Sequence, residues 1–203
     1  MELREIVVAT TNQGKLREIK KMLEGYGVMI RGLSEFEPIP EAEETGRTFA
    51  ENARQKAQYY SRRLNRCVLA DDSGLEVAAL GRAPGIRSAR FAGVEGPQRD
   101  AANNDRLLKM LEEVDEDERK ARFCCALCLS RPEKILLEVQ GFLEGRITST
   151  ARGENGFGYD PIFFLPDRQK TVAQLDYEEK NAISHRGRAL KKLLERLRPM
   201  LVG

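Results

Sequence analysis

Histidine is nearly absent from this 203-residue chain: His185 stands alone, beside only four cysteines. That scarcity excludes an HExxH zinc site and any histidine cluster. Cys125 and Cys128 spell CxxC, but they fall within Phe123-Cys124-Cys125-Ala126-Leu127-Cys128-Leu129, which reads as a strand. Side chains alternate along a strand, so two cysteines three apart point to opposite faces and share no metal. Buried structural thiols are the expectation. Also missing is any apolar run near the ~20 residues of a membrane span. Met1 is followed by charged residues and a strand rather than by a signal-peptide core. No membrane partner is expected, and a cytoplasmic location is. An excess of one charge is lacking too: the net charge is +2. That argues against a polymeric nucleic-acid partner, whereas a small anionic ligand needs only a few local cations.

What remains is a globular balance, 41% hydrophobic and 33% charged. The length suits a single domain over 1–203, or two intimate lobes, with a sizeable core. Glu5 to Thr10 reads as a buried strand. The polar turn Thr11-Asn12-Gln13-Gly14 then opens a helix with Leu16, Ile19, Met22 and Leu23 on one side. Residues 31–47 lack periodicity and read as an acidic loop. Thr48-Phe-Ala-Glu51 is a capping box for a second helix. Val68 to Ala70 forms an apolar run that leads into Asp71, Asp72, Ser73 and Gly74, as a buried strand does when it ends in a turn. A helix is expected over roughly 99–114, and strands near 121–130 and 134–148 form an antiparallel pair. A glycine-rich loop, 152–161, precedes a strand from Ile162 to Leu165. A last helix, capped by Ser184, buries Ala189, Leu190, Leu193, Leu194 and Leu197. This order of elements gives an α/β fold with a mixed sheet.

Four segments carry chemistry. The strand-turn-helix ending in Gly14-Lys15 is a natural phosphate cradle, where free amides, the helix dipole and a lysine favour an anion. It is not a P-loop, because Ala9 and Leu16 replace the glycine and the hydroxyl residue that motif needs. Carboxylates elsewhere must then hold any metal. Asp71, Asp72 and the Glu41, Glu43 and Glu44 group are the candidates, since magnesium needs only one or two carboxylates beside phosphate oxygens and water. Adjacent on a strand, Asp71 and Asp72 point apart, one toward ligand and one structural. A solvated acidic loop is the commoner reading of the glutamates. Gly156-Phe157-Gly158-Tyr159-Asp160 sets aromatic rings between glycines, either as a stacking face for a base or as a tight turn with Phe157 tucked inward. Lys180, His185 and Arg186 precede or open the last helix, and each alone reads as an ordinary surface group.

Taken together and in order, these segments resemble the Ham1-type inosine/xanthosine triphosphate pyrophosphatases. The matching motifs are TxNxGK (10–15), EETGxTFxENAxxKA (43–57), ADDSGLEV (70–77), APGIRSARFAG (83–93), GFGYDPIFF (156–164) and EKNAISHRGRAL (179–190). Thr11 and Arg87 depart from the usual pattern. The resemblance implies a two-lobed α/β fold on a long curved mixed sheet flanked by helices, with a central nucleotide cleft. It also implies a homodimer and magnesium-dependent conversion of ITP, dITP and XTP to monophosphate and pyrophosphate. By motif, Thr10, Thr11, Asn12, Gln13, Gly14 and Lys15 would bind the triphosphate with Lys56. Asp72 would be the catalytic carboxylate and a magnesium ligand, with Glu43 the expected partner and Glu44 the alternative. Ser73 would touch substrate. Phe157, Gly158, Tyr159, Asp160, Lys180, His185 and Arg186 would hold the base and sugar, Arg186 or His185 donating to the C6 oxygen. A Maf-like pyrophosphatase and a non-catalytic nucleotide-binding module are the competing readings.

Overall fold

The computed structural model describes residues 3–201. In chain order the elements are β1 (Glu5–Ala9), α1 (Gln13–Leu23), β2 (Met29–Gly32), α2 (Phe49–Leu64), β3 (Val68–Val77) and α3 (Arg99–Met110). They continue with β4 (Lys120–Arg131), β5 (Lys134–Ile147), β6 (Phe163–Leu165), β7 (Lys170–Thr171), α4 (Tyr177–Ile183) and α5 (His185–Leu201). The strands form one sheet in the order β2-β1-β3-β4-β5-β6-β7. β1 runs parallel to β2 and β3, and β6 runs antiparallel to β5 and β7. With helices flanking it, this mixed sheet is the α/β architecture expected.

Several boundaries differ from the periodicity reading. β2 lies partly inside the segment expected to be loop; four residues with Met29 exposed give no alternation to detect. β3 does not end at the carboxylates. It runs on through Ser73 and Gly74, because Leu75 and Val77 bury beyond them. α3 closes at Met110, four residues early, with the Leu111 N–H shared between the Leu107 and Leu108 carbonyls at 3.2 and 3.1 Å. β7 and α4 were not expected, yet α4 carries a readable start signal: Asp176 caps the Glu179 amide in a capping box.

The chain divides into two compact units. The first comprises residues through Asp72, then Cys125–Gly141 and the chain from Arg186 onward; the second comprises Ser73–Cys124 and Phe142–His185. The first unit's core joins Ile6 and Val8 of β1, Leu16, Ile19 and Leu23 of α1, Cys125, Leu127 and Leu129 of β4, and the leucines of α5. Each fully buried leucine contributes roughly 1.5–3 kcal/mol, so the spacing of Leu190, Leu193 and Leu197 is what seats α5. The second unit packs Leu107 and Leu111 with Leu75, Phe123, Leu143, Ile147, Ile162 and Phe163. All four cysteines are free and buried, as the strand reading of CxxC requires.

Gly145 on β5 is glycine for want of room. A Cβ there would come within 2.5 Å of both the Phe163 ring and the Phe164 carbonyl oxygen. Gly145→Ala is therefore expected to lower the unfolding free energy by about 1–3 kcal/mol. Urea titration checks this, and an unchanged midpoint would mean that β6 yields without strain.

Candidate active site

In the first unit, β1 ends at Ala9 and delivers the turn at 10–12 to α1. Thr10 Oγ1 accepts the Asn12 N–H at 3.2 Å, and Asn12 Oδ1 accepts the Gly14 and Lys15 N–H groups at 2.9 and 3.1 Å. Asn12 is thus the helix N-cap. This corrects the expectation of free amides: those two are already taken, and the cationic character of the turn rests on the Lys15 ammonium. Thr11 is exposed, while Gln13 lies in the first turn of α1 and is also exposed. Lys15 reaches across to Asp71 on β3 and forms a short ion pair with its Oδ1.

Asp71 is wholly buried and accepts three ways. Besides Lys15, Arg186 Nε donates to its Oδ2 at 3.0 Å and the Cys125 thiol donates to the same oxygen at 3.1 Å. Burial pushes this carboxyl upward, but the Arg186 and Lys15 charges overcome it and hold the group well below the usual carboxylate range. Arg186 is itself 2% exposed, and its Nη1 pairs with Glu18 of α1. Burial opposes that guanidinium's charge, and Asp71 and Glu18 restore it. The residue expected to read the base therefore spends these two donors on holding Asp71 and α1.

Asp72 has a different environment. Burial, with Glu44 adding to it, outweighs Lys56 and Lys15 and raises its carboxyl to about 6. The acidic loop reaches this region because α2 ties it down. Asn52 Oδ1 accepts the Gly46 N–H at 2.8 Å, and Gln55 Oε1 accepts the Thr45 N–H at 3.2 Å. The Lys56 ammonium then lies 2.5 Å from Glu44 and donates to the Asp71 carbonyl at 3.4 Å. Burial would lower the Lys56 pKa, but Glu44 and Asp72 raise it instead. Of the two glutamates, both candidates for the second metal ligand, Glu44 reaches Lys56, while Glu43 is exposed. Side-chain bonds from Asn52 and Gln55 of α2 to the backbone at Gly46 and Thr45 decide this, and nothing in the acidic run itself distinguishes the neighbours.

The second unit gathers the other candidates. Asp160 Oδ2 accepts from the Phe157 N–H at 2.9 Å and from Lys180 Nζ at 2.7 Å. Lys180 Nζ also stands 4.6 Å from the centre of the Phe157 ring, a cation over an aromatic face. Tyr159 is buried and donates its hydroxyl to the Ser88 carbonyl at 2.9 Å. That makes it a brace for the loop rather than an exposed stacking ring. Gly158 bonds through its N–H to Asp100 and through its carbonyl to Asn104. His185 stacks on Phe123 at 4.9 Å, and Phe123 stacks in turn on Phe163 at 4.3 Å. Ser73 follows Asp72 on β3 and is half-buried.

Sequence reasoning missed Glu18, Asn52, Asn103 and Asn104, all buried. Asn52 stands three residues after Phe49, and Asn103 and Asn104 stand four and three before Leu107, so polar residues on an apolar helical stripe were the available signal. Glu18 has no such mark.

Magnesium was expected at Asp72. Among the described residues no group of three or more His, Cys, Asp or Glu side chains forms a metal cluster. Asp72 and Glu44 nevertheless supply hard oxygen donors of like charge, and the raised Asp72 carboxyl is what a cation would relieve. Two carboxylates fit a metal that keeps waters and takes phosphate oxygens. No helix among the described residues is long and apolar enough to cross a membrane.

Comparison with known proteins places this geometry in context. A model described as the Ham1 family matches residues 6–196. A dITP/XTP pyrophosphatase from Bacillus cereus is 51% identical over 203 residues, covering 99% of this chain and 98% of the relative. A HAM1 protein from Coxiella burnetii has a solved structure with TM-score 0.88 and 43% identity, covering 96% of this chain and 98% of that one. The Staphylococcus aureus Ham1 protein gives 0.86 and 43%, covering 97% and 99%.

The Arg186–Asp71 pair generates a stability prediction. Removing one partner of a buried pair leaves the other uncompensated, at a cost of about 3–5 kcal/mol. Arg186→Ala should lose stability on that scale by chemical denaturation. A loss below ~1 kcal/mol, typical of exposed pairs, would show that the pair is not structural.

Proposed function

The chain belongs to the Ham1 family, and from that premise we propose that it hydrolyses deaminated purine nucleoside triphosphates, the dITP, ITP and XTP class, to monophosphate and pyrophosphate. The observation that carries this reading is the first unit's constellation of Lys15 and Lys56 against Asp71, Asp72 and Glu44. A triphosphate brings three to four negative charges, and two lysines beside a third cation would bind it. Lys15 and Lys56 take that role, with Thr10 to Gly14 shaping the turn. Asp71 keeps Lys15 in place, since its low pKa keeps it ionised and a charge-assisted bond is roughly twice as strong as a neutral one.

Asp72 is the reacting carboxylate. With its pKa raised to about 6, it is ionised at neutral pH yet basic enough to accept a proton from the attacking water. Water adds to phosphorus, the α–β anhydride bond breaks, and pyrophosphate leaves. Asp72 and Glu44 would hold magnesium, with Glu43 the exposed neighbour. When bound, the ion supplies charge neutralisation on the phosphates and acidifies water.

In the second unit, Phe157 offers a ring face to a base, and Lys180, His185 and the loop through Asp160 take the base and sugar end. Inosine and xanthine carry a C6 oxygen where adenine carries an amino group. A site built to donate to that oxygen rejects the amine by as much as ~10⁴-fold. Lys180, His185 and the N–H groups of Arg186 beyond those serving Asp71 and Glu18 are the donors to consider. The same reading carries a homodimer and a cytoplasmic location.

Pyrophosphate release from dITP, ITP, XTP, GTP and ATP, with magnesium and then with EDTA, tests the proposal. Magnesium-dependent release from the deaminated purines with little from ATP and GTP is expected. Release that is absent, or confined to pyrimidine nucleotides, would overturn it.

Asp72→Asn separates chemistry from stability. Turnover should fall by about 10²-fold or more with nucleotide binding retained. The folded Asp72 holds its proton up to about pH 6, against an ordinary 3.8. The folded state thus binds more protons across that window, and stability is lost as pH rises through it. The metal-free asparagine variant should therefore be more stable than wild type at pH 8, by on the order of 3 kcal/mol, and equal to it below about pH 3. Thermal denaturation at both pH values reads this directly.

A further inference from the structure

We propose that Asp100 and Asn104 of α3 are positioning residues that clamp the Phe157 loop in its ligand-ready geometry; the base-binding consequence rests on the reading above. They stand one turn apart on α3 and both address Gly158. Asp100 Oδ2 accepts the Gly158 N–H at 2.8 Å, and Asn104 Nδ2 donates to the Gly158 carbonyl at 3.1 Å. Residues at i and i+4 share a helix face, so one rigid element grips both sides of a single residue. The two carboxylate oxygens of Asp100 divide their work, Oδ1 taking Arg99 at 2.9 Å while Oδ2 takes the loop. Asn104 is 9% exposed, and Leu107 three residues on anchors the same face in the second unit's core.

The loop needs such a clamp. Gly156 and Gly158 both adopt left-handed φ, +83° and +63°, which glycine tolerates and other residues resist. A Cβ on Gly156 would run into Asp160 Oδ2. Two flexible glycines on either side of Phe157 leave its ring free to swing unless other groups hold the peptide. Asp160 holds the Phe157 N–H, Tyr159 is tied to Ser88, and Asn155 donates to the Leu175 carbonyl at 3.0 Å. The peptide groups of Gly158, immediately after Phe157, are held by Asp100 and Asn104. Losing either bond frees a residue whose backbone already ranges widely, and the ring loses its register against Lys180.

Asp100 is the cleaner variant because its side chain is 35% exposed, so truncation leaves no buried void. Asp100→Ala removes the acceptor, whereas Asp100→Asn keeps an oxygen for Gly158 while losing the Arg99 ion pair. The alanine variant should show about tenfold faster amide hydrogen exchange over 153–161. Its KM for dITP should rise by a similar factor with kcat within about twofold, and its preference for dITP over dATP should shrink. The asparagine variant should resemble wild type in all three. Asn104→Ala should reproduce the alanine result, and Asn104→Asp, which lacks a donor at neutral pH, should not rescue it. If Asp100→Ala leaves exchange and KM unchanged, or if Asp100→Asn fails equally, the clamp is overturned, the second outcome assigning Asp100 to its Arg99 pair. If wild type releases no pyrophosphate from any nucleotide, the substrate reading falls, and the exchange rates alone decide whether Asp100 and Asn104 hold the loop.

Discussion

A buried carboxylate organises the first unit. Asp71 lies fully buried in the middle of β3, where an unpaired charge would cost several kcal/mol. Donors reach it from three other elements, Lys15 from α1, Cys125 from β4 and Arg186 from the start of α5. Glu18, also on α1, closes the circuit by pairing with Arg186. Satisfying one buried charge therefore sets the positions of two helices against a strand. Lys15, the residue proposed to meet phosphate, is placed as a by-product of that requirement.

Next to it, Asp72 shows how one step along a strand changes a carboxyl's chemistry. Successive side chains face opposite ways. Asp71 meets two cations at close range and stays ionised, whereas Asp72 meets burial and the Glu44 charge and is raised to about 6. Pairs of titratable groups driven apart by environment let a single fold hold one carboxylate as a structural anion and keep the other able to exchange a proton near neutral pH. In the second unit the equivalent division falls between Tyr159, which braces the loop, and Phe157, whose ring sits beneath Lys180.

Much of this was legible in the residues. The capping box at Thr48–Glu51, the leucine spacing of α5 and the strand reading of the cysteines all return as drawn. Local signals sufficed there, because caps and apolar stripes act within a turn or two. The element ends were less legible. Ser73-Gly74 carries turn chemistry, yet β3 runs through it, since Leu75 and Val77 bury beyond the glycine and sheet pairing overrides local preference. β2 and β7 are too short to show a period.

The chain by itself determined the class of fold, the family resemblance, and which residues carry charge, aromatic faces and flexible backbone. These follow from residue type and spacing. Only the tertiary structure decided what each charge is for. Glu44 rather than Glu43 meets Lys56 because α2 ties the loop at Thr45 and Gly46. Arg186 faces Asp71 and Glu18, and Asp100 and Asn104 hold Gly158, because partners 54 to 168 residues apart in sequence meet in the fold. Electrostatic and hydrogen-bond roles depend on which groups lie within a few ångströms and on how much water is excluded, and neither is written in the order of residues along a chain.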